Sequence, residues 1–177
     1  RIGIAQNNES SFWFGSNKHQ RGRMSYLTIL KDEELSTEVC EPVAVVDDEI
    51  KNLAIKMCMT MQASNGIGLS APQVGVMKRI MTLDTSTYGN DGSFCTILIN
   101  PEIVEQVGAQ PSKEGCLSFP GKTVKVFRPK AVKVKYMNTA GDELECWFHG
   151  LASAVICHEI EHMEGITFLD NDTKYKL

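Results

Sequence analysis

The sequence has no apolar stretch near the roughly 20 residues that a membrane-spanning helix needs, and no signal-peptide core. It also lacks a basic excess: 18 Lys and Arg against 22 Asp and Glu leave a formal charge of -4, with no Lys/Arg-rich run. These absences leave no footprint for nucleic acid, for a membrane or for export, and a monomer is the default expectation. No internal repeat and no second domain is visible, and 177 residues suffice for one proper core. Histidine is scarce, with four in the chain, so how those four are spaced carries information.

Two of them frame the pentad His158-Glu159-Ile160-Glu161-His162. Leu151, Ala154, Val155 and Ile156 just before it give one apolar helical face, which predicts a buried helix. On a helix, positions i and i+4 lie one above the other, so His158 and His162 can offer two imidazoles to one metal ion. Glu159 then stands beside the metal with a free carboxylate, placed to take a proton from a water that the metal has acidified. The pattern predicts a metal-dependent hydrolase.

Six cysteines could form three disulfides, but a chain with a full core does not require them, and a reduced cytosolic protein is the expectation. Cys40, Cys58, Cys95, Cys146 and Cys157 lie in or beside apolar runs and read as small buried hydrophobes. Cys116 sits among Glu114, Gly115, Leu117 and Ser118, a polar, turn-like setting that suits a reactive or metal-bound thiol. Residues 1–23 form a separate block rich in Asn and Ser without periodicity, expected to be a leader or the remnant of a longer precursor, and Met24 looks like a natural start.

From Met24 the pattern predicts a single α+β domain over 24–177, with antiparallel strands wrapped around a central helix that bears the pentad. Ile50, Leu53, Ala54, Met57 and Met61 recur at helical spacing, with Asp47 or Asp48 as N-cap and Gly66 ending the helix. Strands are expected at Arg79–Asp84, Thr96–Asn100, Glu102–Val107, Thr123–Phe127, Ala131–Met137 and Glu143–Phe148, with Asn138 to Gly141 as the turn of the last hairpin.

A catalytic zinc-type site needs a third protein ligand and a place for water. Downstream of His162 there is no histidine, and only Glu164 and Asp170 are acids close behind it. An upstream ligand is therefore expected, with Cys116 the best candidate.

With those residues in place the chain resembles the peptide deformylases. The glycine-rich motif GXGLAAPQ stands as Gly66-Ile67-Gly68-Leu69-Ser70-Ala71-Pro72-Gln73, EGCLS is unaltered at Glu114 to Ser118, and the pentad follows in order. With Asn100-Pro101 and the opening from Met24 to Ile29, the match runs from Met24 to about Asp170. The resemblance implies Cys116, His158 and His162 as metal ligands, Fe²⁺ as the native ion, and Zn²⁺, Ni²⁺ or Co²⁺ as ions that could occupy the isolated protein. It implies an N-formylmethionyl peptide as substrate, attack by the metal's water on the formyl carbon, release of formate, and Glu159 as general base and acid. Gln73 and the backbone N–H of Leu117 would stabilise the charge on the formyl oxygen. A methionine pocket would be lined by Ile67, Leu117, Leu151, Ala154, Val155 and the ring of His158. Gly66, Gly68, Glu114 and Gly115 would lie against the peptide, which would pair with the Gly68 segment like an added strand, and Arg128 would contact the peptide backbone.

The chain departs from the family pattern at Ser70, an alanine in most members, at Glu161, usually Asp, and at Cys157 and Met163 beside the pentad. The opening has Lys31-Asp32-Glu33-Glu34 in place of a Pro-Asp-Pro run. After the pentad comes a short polar tail instead of a long helix, as in bacteriophage members. The ribosome stays a possible partner although the docking helix is missing, and the resemblance implies the cytoplasm of a bacterium or of a phage-infected host.

Overall fold

The computed structural model describes residues 25–85, 95–167 and 169–170. The expected leader at 1–23 and the polar tail after Asp170 lie outside the described residues.

Two helices and seven strands make up the described fold. Helix α1 (Asp48–Ala63) starts where Asp47 Oδ1 accepts the N–H of Ile50 at 2.9 Å, satisfying one of the orphan donors of the first turn. Its apolar stripe at Ala54, Met57 and Met61 is fully buried. The sequence places the helix end at Gly66. The left-handed residue is instead Asn65, at φ +53°, a conformation that Asn tolerates better than most residues.

Strands β1 (Gly68–Ser70), β2 (Ile80–Asp84), β3 (Cys95–Val107), β6 (Ala131–Met137) and β7 (Glu143–His149) form one antiparallel sheet in the order β1-β2-β3-β6-β7. Strands β4 (Gln110–Cys116) and β5 (Phe119–Arg128) pair as a separate hairpin. Both faces of the β2–β3 region are covered. Ile80 and Ile99 face the α1 stripe, while Met81, Leu83 and Leu98 pack with Val155, Ile156 and Met163 of helix α2 (Leu151–Met163). Helix α2 therefore runs between the sheet and the β4–β5 hairpin, which has its own small cluster at Phe119, Val124 and Val126. This is the α+β arrangement around a pentad-bearing helix that the sequence predicts.

The two segments expected on either side of Asn100-Pro101 are one strand, β3, with a register shift against β6 between Ile99 and Glu102. Asn100 takes φ +51° at this irregularity, and its amide exchanges two hydrogen bonds with the backbone of Val43, at 2.7 and 2.8 Å. Strand β4 is absent from the sequence reading because Gln110-Pro-Ser-Lys-Glu-Gly-Cys shows no apolar alternation. Pairing with β5, not propensity, makes it a strand.

The cysteine expectations need correction. Cys58 on α1 and Cys95 at the start of β3 form a disulfide, 37 residues apart in sequence, and Cys146 on β7 is exposed. Only Cys40 and Cys157 are buried thiols. The sequence could not show the pairing because it is tertiary packing of α1 on the sheet that brings the two residues together. A loop of this length should contribute about 4 kcal/mol by restricting the unfolded chain. Urea unfolding of the oxidised protein against a Cys58→Ser variant is expected to show a loss approaching that size, with little change in activity.

Candidate metal centre

Helix α2 supplies His158 and His162, whose rings stand 4.9 Å apart at 82°, and the end of β4 supplies Cys116. Cys116 Sγ lies 3.3 Å from His162 Nε2, and the ligand atoms of Cys116, His158 and His162 all fall within 4.8 Å of one another. Among the described residues this is the one group of three such side chains gathered in this way. The two downstream acids are engaged elsewhere. Glu164 pairs with Arg79 at 2.6 Å, and Asp170 accepts the N–H and hydroxyl of Thr167.

The pocket around this group accommodates one imidazolium but not two. Burial alone would push His158 down, but its hydrogen bonds to Cys116 and Glu114 and the nearby Glu159 outweigh that and hold it up, at about 10. Burial and the neighbouring His158 push His162 down to about 3, because two imidazolium rings in contact cannot both be accommodated. His158 Nδ1 faces Glu114 Oε2 at 3.1 Å, which leaves Nε2 to point at a metal. Glu159 is 3 % exposed, its Oε2 is buried without a hydrogen-bond partner, and burial raises its pKa. A soft thiolate, two imidazoles and an orphaned carboxylate oxygen beside them fit a divalent ion with room for a water.

Gln73 sits in a short 3₁₀ turn, Ala71–Val74, directly after β1. Its Nε2 lies 3.4 Å from Cys116 Sγ and donates to Ser118 Oγ at 3.2 Å. Three successive residues of the opening segment strap these donor loops together. Leu30 N–H donates to Gln73 O at 2.8 Å, Lys31 Nζ to Leu117 O at 2.7 Å, and Asp32 N–H to Ser118 O at 3.0 Å.

Beside the group opens a cavity of about 290 Å³. Of the expected substrate residues, Gly66, Ile67, Gly68, Glu114, Gly115, Leu117, Leu151, Ala154, Val155 and His158 line it, together with Cys116 and Glu159. Ile67 and Leu151 are about half exposed at its edge, at 47 % and 51 %. Gly68 must be glycine. A Cβ there would come within 2.5 Å of Val155 and 2.6 Å of Glu159 Oε1. Asn65, Ser112 and Lys113 also line the cavity and were not anticipated, since nothing in their local sequence marks them.

Arg128 is the expectation that the structure corrects. It is 4 % exposed and does not line the cavity. Its guanidinium forks onto Glu114 through Nε and Nη2 at 2.8 and 2.9 Å, and onto Glu161 through Nη1 and Nη2 at 2.6 and 2.8 Å. A charge this deep is stable only when paired, so its partners, not a peptide, account for it. Burial would push Glu114 up, but hydrogen bonds from Arg128 and His158 hold it at about 2.

The chain matches the family model described as Polypeptide deformylase over residues 26–176. It is 43% identical over 143 residues to the peptide deformylase of Acetivibrio thermocellus, a match that covers 81% of each chain. It is 42% identical over 142 residues to that of Aquifex aeolicus, covering 80% of this chain and 84% of the relative. The fold superposes on the crystal structure of peptide deformylase from Thermotoga maritima with a TM-score of 0.76 at 35% identity, covering 83% of this chain and 97% of the other. It also superposes on a peptide deformylase from Synechococcus elongatus in complex with actinonin, with a TM-score of 0.75 at 34% identity, covering 82% and 79%.

Replacing Arg128 by Met leaves Glu114 and Glu161 without their counter-ion. Chemical unfolding is expected to show a loss of about 3–5 kcal/mol. Where the variant folds, KM should stay near wild type. The depressed pKa of Glu114 gives a second test. A carboxylate lowered on folding adds stability that is complete above its usual 4.5 and is lost as pH falls toward about 2. Metal-free protein should therefore lose about 3 kcal/mol across that window, and Glu114→Gln should flatten the loss when unfolding is followed against pH.

Proposed function

The chain belongs to the peptide deformylase family of hydrolases, which remove the N-formyl group from nascent peptides, and from that premise we propose that it is a metal-dependent deformylase acting on N-formylmethionyl chains. The observation that carries the reading is the gathering of Cys116, His158 and His162 beside the partnerless Oε2 of Glu159. Those three residues would hold a divalent ion, Fe²⁺ in the native protein with Zn²⁺, Ni²⁺ or Co²⁺ as substitutes, which would supply Lewis acidity toward water.

The protein's own groups do the rest. The apolar cavity walls at Ile67, Leu151, Ala154 and Val155 take the unbranched methionine side chain. The backbone at Gly68 is uncovered by any Cβ and lies against the peptide. Glu159 accepts the proton of the attacking water at its free oxygen and returns it to the departing amine, for which a raised pKa is suited. As negative charge builds on the formyl oxygen, Gln73 Nε2 and the Leu117 N–H donate to it. Their positions are set in advance, Gln73 by its contacts at Ser118 and Leu117 by the Lys31 strap. The same reading takes the protein as a monomer in a bacterial cytoplasm, acting on formylated nascent chains.

Formate release from formyl-Met-Ala by Fe²⁺- or Ni²⁺-loaded protein under anaerobic conditions tests it, with acetyl-Met-Ala as the control substrate. Formate from the first substrate alone is expected, with kcat falling about 10²- to 10⁴-fold in Glu159→Ala and about 10²- to 10³-fold in Gln73→Leu. No formate from metal-loaded wild type would overturn the proposal.

A further inference from the structure

Ser70 closes β1 and is fully buried where that strand turns into the segment carrying Gln73. Its peptide N–H donates to Gln73 Oε1 at 2.9 Å, and its hydroxyl donates to the same oxygen at 3.0 Å. A carbonyl oxygen offers two lone pairs, so Ser70 alone fills both acceptor sites of this amide. At the other end Nε2 donates to Ser118 Oγ and faces Cys116 Sγ. Turning the amide over would set its NH₂ against the Ser70 N–H, donor against donor, and would aim an oxygen at the thiol.

We infer that Ser70 is a positioning residue whose hydroxyl locks the Gln73 amide with its N–H side toward the metal ligands, aiming that donor before substrate arrives. The inference rests on the function proposed above for what the aimed donor does, but not for the lock itself. Alanine at this position, the residue that the resemblance leads one to expect, would keep only the peptide N–H and leave Oε1 half satisfied. A serine serving merely as buried filler would make the same replacement silent.

The test compares wild type with Ser70→Ala, a change of one oxygen that leaves the backbone conformation undisturbed. With formyl-Met-Ala, kcat is expected to fall about fivefold to tenfold, the worth of one hydrogen bond, while KM and the calorimetric affinity for the product Met-Ala stay unchanged. In a Gln73→Leu background the same replacement should cost nothing further, because the amide it positions is gone. Independently of turnover, the Gln73 side-chain amide in the Zn²⁺-loaded protein should give one sharp pair of ¹H–¹⁵N resonances, and exchange-broadened ones in Ser70→Ala. An unchanged kcat, an equal loss in the Gln73→Leu background, or an amide as well ordered in the variant would each overturn the inference. A wild type that releases no formate would remove the functional reading and leave the amide spectra to decide on the lock.

Discussion

One buried guanidinium holds the candidate metal centre together. Arg128, near the end of β5, grips Glu114 on β4 and Glu161 on α2 at once, so the hairpin and the pentad helix cannot move apart without stranding charges in the interior. The grip continues through Glu114 to His158, whose ring it orients, and Cys116 lies two residues further along the same strand. Two carboxylates meet one guanidinium, and of the two Glu114 also faces His158. Negative charge behind His158 is the setting that a cation at the candidate site would need.

What could be read from the sequence was whatever depends on residues close together along the chain. The i, i+4 histidines, the apolar stripe of α1, and the alternation in β6 and β7 are local patterns, and each became the element or contact that it implied. Cys116 was recognisable from its polar surroundings, while its approach to His162 spans 46 positions. The pairing of Cys58 with Cys95, the strand made from Gln110 to Cys116 and the strap from Leu30 to Asp32 carry no local mark, since each exists only once distant segments have packed. Arg128 shows the same limit from the other side. An arginine before a proline is in sequence terms an exposed residue, and only the two acids that come to meet it from β4 and α2 make it an interior one.

The departures at Ser70 and Glu161 take on meaning in this frame. Glu161 is long enough to present both oxygens to Arg128, giving a forked contact from the helix side that matches the one from Glu114. Ser70 puts a hydroxyl into a space with no solvent, where a polar atom persists only if it is used, and Gln73 Oε1 uses it. Both changes add polar contacts around the site without displacing any ligand.

The order of the five-stranded sheet leaves two open edges, and the fold guards them by different means. At one end β1 is three residues long with its side chains buried, and its Gly68 lines the cavity, so a strand can reach that edge only by entering the cavity. At the other, β7 runs for seven residues and is exposed along most of its length. There Glu143 and Glu145 are paired with Lys135 and Lys133 across the ladder, so a second copy adding edge to edge would bring like charges together. Cys146 directly follows Glu145 and is exposed, which makes it the point on that edge where charge gives no protection against covalent self-association.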